Sequence, residues 1–78
     1  MDKIEKFLRK IDRKQRERLL KVIAQLANND ILTLNIVPMK GFKNCYRCHV
    51  GDMRILFMSA AGKNVIYDIE YRGNVYKK

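Results

Sequence analysis

The first 30 residues carry apolar side chains at helical spacing. Four of them occupy positions i, i+3, i+4 and i+7, which lie on one face of a helix: Ile4, Phe7, Leu8 and Ile11. Asp12 comes next, and Gln15 lies three residues later, which is the spacing of a capping box. The pattern therefore predicts a first helix, a break at Asp12 and a second helix.

The second helix is predicted to be amphipathic as well. We expect it to bury five side chains: Leu19, Leu20, Ile23, Leu26 and Ala27. Four cations are expected to face water: Lys14, Arg16, Arg18 and Lys21. The polar run at residues 28–30 (NND) should end the helix, because these side chains compete for helical hydrogen bonds. The first 30 residues are thus predicted to form an αα-hairpin.

Residues 31–43 show no clear period. The apolar run at 31–34 is short, and Pro38 and Gly41 interrupt the rest of the segment. We interpret this segment as a connector that contains about one turn of regular structure.

The remaining chain has the alternation of β-strands. Three strands are predicted: Cys45–Val50, Met53–Met58 and Val65–Tyr71. Gly51-Asp52 has the chemistry of a tight hairpin turn, and residues 60–63 form the next turn. Helices followed by a meander predict one α+β domain over residues 1–78. Its αα-hairpin should pack on one face of a three- to four-stranded antiparallel sheet.

The two-residue turn determines which residues face each other. It places His49 opposite Arg54 and Arg47 opposite Leu56. Because side chains alternate between faces, Arg47, His49 and Arg54 share an open face. The core face of these two strands should hold Tyr46, Cys48, Val50, Met53, Ile55 and Phe57. On the third strand, alternation assigns four side chains to the core: Val65, Tyr67, Ile69 and Tyr71. It assigns three to the open face: Asp68, Glu70 and Arg72.

Charge points to an anionic partner. The 17 lysines and arginines outnumber eight acids and give a formal net charge of +9, while 47% apolar content is enough to fold. A field of this sign suits RNA, DNA, the ribosome or an acidic protein, although a merely solvated surface is the alternative. Residues 1–6 (MDKIEK) lack the apolar core of a signal peptide, and no run approaches a membrane span. We therefore expect a cytoplasmic protein with two reduced cysteines.

The predicted open face has the groups that RNA cleavage by transesterification needs. Arginines match phosphate oxygens, and His49 can act as base or acid near neutral pH. Glu70 is a second candidate base, and Tyr76 a candidate acid or stacking platform. The alternatives are that Asp68 and Glu70 only neutralise the arginines, that His49 is an ordinary surface residue, and that Tyr76 packs on the sheet.

Two other site types fit less well. Residues 45–49 (CYRCH) match the c-type haem attachment motif, but they lie in a predicted strand, where Cys45 and Cys48 point to opposite faces. Two cysteines and one histidine leave a tetrahedral zinc site one ligand short. We therefore expect no cofactor and no metal. A non-catalytic basic module that binds nucleic acid remains a separate alternative.

Three segments resemble the RelE/ParE toxin superfamily. Residues 39–42 (MKGF) are similar to its L-K-G lead-in, and residues 46–57 (YRCHVGDMRILF) to its Y-R-i-r-v-G-d-y-R-v-l-y hairpin. Residues 68–76 (DIEYRGNVY) are similar to its closing v-i-x-h-R-x-x-v-Y. The resemblance covers most of the chain. It departs from the family where Tyr71 replaces a common histidine and where His49 replaces lysine or arginine.

The resemblance implies a toxin of a type II toxin–antitoxin module. RelE-like members cut mRNA in the ribosomal A site, whereas ParE-like members inhibit DNA gyrase. Because basic, histidine and tyrosine groups occur together, we favour a metal-independent, RelE-like endoribonuclease with an acidic antitoxin as its partner. The implied catalytic residues are Arg47, His49, Arg54, Arg72 and Tyr76, and the implied RNA-binding residues are Lys40, Lys43, Arg47, Lys77 and Lys78. Family members usually have a strand before the first helix, so either this sheet lacks that edge strand or the start of the chain is mis-assigned or trimmed.

Overall fold

Two helices precede a four-stranded antiparallel sheet in the computed structural model, which describes residues 3–71. The helices are α1 (Lys3–Lys10) and α2 (Arg13–Ala27). The strands are β1 (Asn35–Pro38), β2 (Cys45–Val50), β3 (Met53–Ala60) and β4 (Lys63–Tyr71). Their order in the sheet is β1-β2-β3-β4, so each strand pairs with its neighbour in the chain. The predicted α+β class is confirmed.

Side-chain hydrogen bonds form the junction between α1 and α2. Asp12 caps α2, because its Oδ1 accepts a hydrogen bond from the Gln15 backbone N–H at 2.8 Å. Arg16 donates from Nε to the Leu8 carbonyl at 2.9 Å and from Nη2 to the Ile11 carbonyl at 3.1 Å. The expectation that Arg16 faces water was therefore wrong. Its guanidinium satisfies carbonyls that the end of α1 leaves without helical partners.

Helix α2 buries a narrower face than predicted. Leu19, Val22 and Leu26 are buried, whereas Leu20 is 47% exposed and Ala27 is exposed. The predicted burial of Leu20 and Ala27 was wrong, and Val22 was missed. The reason is that Leu19, Val22 and Leu26 lie at i, i+3 and i+7, and Leu20 is rotated away from that line.

Helix α2 ends in the polar run at residues 28–30, as predicted. Asn29 adopts a positive φ of 57°. The Asp30 N–H donates to the Gln25 carbonyl at 2.8 Å, and the Asn29 N–H donates to the Leu26 carbonyl at 3.1 Å. This pair of bonds is a Schellman motif, so the backbone itself closes the helix.

The connector predicted at residues 31–43 contains a strand, so that prediction was wrong. Strand β1 pairs with β2 from Asn35 opposite His49 to Pro38 opposite Tyr46. A short strand that carries proline is tolerated at a sheet edge, where one side of the strand has no ladder to maintain. Within the described residues no strand comes before α1, and β1 forms the edge beside β2.

The predicted hairpin and its register are confirmed. Val50 pairs with Met53, His49 with Arg54 and Arg47 with Leu56. Gly51 has a φ of +60° at the first turn position, where a type II′ turn needs glycine. The core face holds the residues expected there, with Cys48, Val50, Met53, Ile55 and Phe57 buried and Tyr46 half-buried. These side chains pack on Leu19, Val22 and Leu26 of α2.

Strand β4 contains a bulge that the sequence pattern did not reveal. Leu56 pairs with Asp68 and Phe57 with Ile66, so Tyr67 is an extra residue in the ladder. The predicted burial of Val65 and Tyr67 was therefore wrong, because one inserted residue reverses the faces on one side of it. They are 58% and 39% exposed, and Ile66 packs on the core instead. Beyond the bulge, Ile69 and Tyr71 face the core as predicted.

Candidate functional site

The sheet face opposite the helices, here called the open face, carries a line of polar side chains across all four strands. The pairing aligns Asn35, His49, Arg54 and Glu70 at one level. We call these four residues the polar row. Asn35 was not among the predicted site residues, because β1 itself was not predicted. The signal that could have revealed Asn35 is that residues 35–38 can form a short strand beside the strand already predicted at Cys45–Val50.

Arg47 lies one level further along the open face, beside the polar row. Its neighbours at that level are Val37, Leu56 and Asp68. His49 and Arg47 are two residues apart on β2, a spacing of about 7 Å, and both are half-buried. The structure thus brings Arg47, His49 and Arg54 together on one face, as the alternation predicted.

Both arginines have part of the guanidinium group removed from water. The Nε atoms of Arg47 and Arg54 are buried and have no hydrogen-bond partner among the described residues. An unsatisfied buried donor costs about 1–3 kcal/mol. These donors are therefore available to a ligand or to water.

Glu70 forms an ion pair with Arg54. Its Oε1 lies 3.3 Å from Arg54 Nη2, and the two side chains are 43% and 24% exposed. The sequence left open that Glu70 only neutralises an arginine. The ion pair which that alternative requires is present for Arg54. A partly exposed pair of this kind is worth about 0–1 kcal/mol, so a phosphate that binds both guanidinium nitrogens can displace the carboxylate.

Asp68 has different partners from those expected. Its Oδ1 accepts a hydrogen bond from the Ile69 backbone N–H at 2.8 Å and lies 3.9 Å from Lys3 Nζ of α1. Asp68 therefore serves the junction between α1 and β4. Among the four residues that share this level of the open face, Arg47 is the cation.

Other predicted cations lie beyond the polar row. Lys40 and Lys43 are exposed in the β1–β2 loop, at the opposite end of the sheet from the turn at Gly51-Asp52. Arg72, Tyr76, Lys77 and Lys78 lie outside the described residues 3–71. Their predicted roles stay predictions.

Tyr71 is turned away from this site. Its hydroxyl donates a hydrogen bond to Gln15 Oε1 at 2.7 Å, and its ring lies 6.0 Å from that of Phe7. The residue where the family commonly has histidine thus links β4 to both helices. Tyr71 is therefore not a candidate for proton transfer on the open face.

The two cysteines point to opposite faces, as predicted. Cys48 is fully buried in the core, and burial raises the pKa of its thiol. Cys45 lies on the open face, opposite Met58. Both thiols are free. Within residues 3–71, no three histidine, cysteine or acidic side chains are close enough to hold a metal ion.

A membrane span is absent from the described part of the chain: neither helix is long and apolar enough to cross a bilayer.

Comparison with known proteins supports the fold assignment. No protein-family model matches the chain, and no curated protein does. Among solved structures, the chain is similar to the crystal structure of a RelB–RelE antitoxin–toxin complex from Methanococcus jannaschii. The TM-score is 0.73 at 25% sequence identity, and the match covers 88% of this chain and 84% of that chain. The order of elements, the register of the β2–β3 hairpin and this similarity together identify a RelE-like fold.

Proposed function

We propose that this protein is the toxin of a type II toxin–antitoxin module and acts as a ribosome-dependent, metal-independent endoribonuclease in the cytoplasm. The observation that carries the proposal is the joint position of Arg47, His49 and Arg54 on the open face of a RelE-like fold. The net charge of +9 favours the approach to mRNA and the ribosome. A solved structure similar to this one is a toxin bound to its antitoxin, which supports an antitoxin as the protein partner here, and the net charge of +9 favours an acidic one.

In the proposed reaction the RNA 2′-oxygen attacks the adjacent phosphorus, and the bond to the 5′-oxygen breaks. His49 accepts the 2′-hydroxyl proton, with Glu70 as the second candidate base. Arg54 and Arg47 hold the non-bridging oxygens, where negative charge develops. The departing 5′-oxygen takes up a proton, for which Tyr76 is the proposed donor. Arg72, like Arg54, is proposed to grip the phosphate.

The deciding experiment is primer extension on a defined mRNA translated in a bacterial extract. The wild type should create new 5′ ends in phase with A-site codons. Arg54→Ala should reduce them about 100-fold or more, because it removes a group that stabilises charge in the transition state. Arg9→Ala removes one positive charge from the exposed surface of α1 and should leave cleavage unchanged.

The result that contradicts the proposal is an absence of new ends in an extract where a known mRNA interferase cuts. A supercoiling assay with DNA gyrase would then test the ParE-like alternative. Glu70→Gln separates the two roles of that carboxylate. Slower cleavage identifies a base, and unchanged or faster cleavage identifies a group that only masks Arg54.

A further inference from the structure

Tyr67 occupies an unusual place in the sheet. It is the extra residue of the β4 bulge, and Asp68 rather than Tyr67 is opposite Leu56. The Tyr67 hydroxyl has the Cys45 thiol as a neighbour, and Cys45 lies on the open face opposite Met58. Tyr67 therefore belongs to the open face, where it is 39% exposed.

The Tyr67 side chain lies along the open face rather than standing away from it. Its hydroxyl lies 3.5 Å from the Met39 sulfur. Met39 follows β1 and extends the pairing with β2, since its N–H donates to the Cys45 carbonyl at 2.9 Å. Strands β1 and β4 are the two edges of the sheet, so the side chains of Tyr67 and Met39 together span β3 and β2.

A side chain that reaches from β4 to Met39 beside β1 crosses β3, which carries Leu56 on this face. Leu56 points to the open face but is only 7% exposed. The Tyr67 ring therefore extends across a buried apolar part of the open face while part of it stays exposed to solvent. Met58 and Val65, which are 42% and 58% exposed, continue the apolar surface beside it.

From this arrangement we infer that Tyr67 is a stacking platform for a base of single-stranded RNA. An aromatic ring laid on the face of a β-sheet presents a π surface that any base can cover. Adjacent levels on one sheet face are about 7 Å apart. Arg47 is at the level of the bulge and Arg54 is one level further along, so a backbone gripped by these arginines would leave a neighbouring base over Tyr67.

The ionisation state of the ring suits this role. Desolvation of the hydroxyl raises the pKa of Tyr67, and the neighbouring thiol of Cys45 and the carboxylates of Asp68 and Glu70 add to the rise. The phenol therefore stays neutral at physiological pH and does not repel phosphate. The inference depends on the proposed function only in that its ligand is RNA.

The test is equilibrium binding of a short single-stranded RNA to the purified full chain, followed by fluorescence anisotropy. Tyr67→Leu keeps an apolar cover over Leu56 but removes the ring, and should weaken binding about tenfold. Tyr67→Phe keeps the ring and should bind like the wild type. The slope of log affinity against log salt should be unchanged in Tyr67→Leu, because stacking releases no counterions. Arg47→Ala should make that slope shallower.

An oligonucleotide with abasic sites on the same backbone provides the matching control. Wild type and Tyr67→Leu should bind it equally if the ring acts on a base. Equal affinity of the two proteins for the intact RNA overturns the inference. So does a Tyr67→Leu defect that persists on the abasic backbone, or one that appears only in binding of an acidic antitoxin. Normal stacking results without mRNA cleavage would leave the inference standing and refute the proposed nuclease.

Discussion

At the scale of single residues, burial separates two cysteines that the sequence makes look equivalent. Alternation along β2 was enough to predict that Cys45 and Cys48 face opposite ways, and the structure confirms it. The sequence could not show that the Cys48 thiol is fully enclosed. That depends on Leu19 and Leu26, which lie more than 20 residues away in the chain.

We predict that the alkaline stability of the protein depends on Cys48. Burial raises the pKa of this thiol above its ordinary value of 9.0, so the folded state holds the proton more tightly than the unfolded state. The contribution is fully present below pH 9 and is lost as pH rises through the folded-state pKa. The free energy of unfolding, measured by urea titration, should therefore fall above pH 9.

The variant Cys48→Ala should flatten that decline, even though it lowers stability at every pH by opening a small cavity. Identical pH slopes for wild type and Cys48→Ala would contradict the assignment.

At the scale of elements, the features that depend on local chemistry could be predicted from the sequence, and those that depend on tertiary pairing could not. The break at Asp12, the end of α2 at residues 28–30 and the turn at Gly51-Asp52 are set by side chains within a few positions, and all three are confirmed. Strand β1 was missed because it exists through pairing with β2. The bulge at Tyr67 was missed because a single extra residue leaves no mark in an apolar alternation.

The cap of α2 gives a prediction at this scale. Asp12→Ala removes the acceptor for the Gln15 N–H and should cost about 1 kcal/mol of unfolding free energy. Asp12→Ser keeps an oxygen acceptor and should cost only a few tenths of that amount. Denaturant titration of the three proteins checks both values. Equal losses in the two variants would mean that the carboxylate acts through its charge and not as a cap.

A loss of about 1 kcal/mol of unfolding free energy at the α2 cap matters because the domain is small. A single core in a chain of this length supplies about 3–5 kcal/mol. Helix α2 contributes Leu19, Val22 and Leu26 to the core, so fraying from Asp12 weakens the contact that holds α2 on the sheet.

At the scale of the whole molecule, sequence reasoning located the centre of the candidate site but not its edges. The hairpin register alone placed Arg47, His49 and Arg54 together, and the structure keeps them so. The two additions, Asn35 and Tyr67, come from opposite edges of the sheet. Neither residue could be assigned to the site from the sequence, because the position of Asn35 depends on the β1 pairing and that of Tyr67 on the β4 bulge.

The strand order β1-β2-β3-β4 also determines how quickly the chain can fold. Every strand pairs with the next one along the chain and the helices form from local sequence, while the packing of α1 and α2 on β4 joins segments that are distant in the chain. Mixed domains of helices and antiparallel strands fold more slowly than helical bundles and faster than all-β sandwiches, and we expect refolding on the order of milliseconds as a single exponential. Stopped-flow dilution from urea measures this directly, and a dominant phase of seconds would contradict it. Under the proposed function, the chain would reach its active fold within this time after synthesis, so the partner that inhibits it would have to be present already.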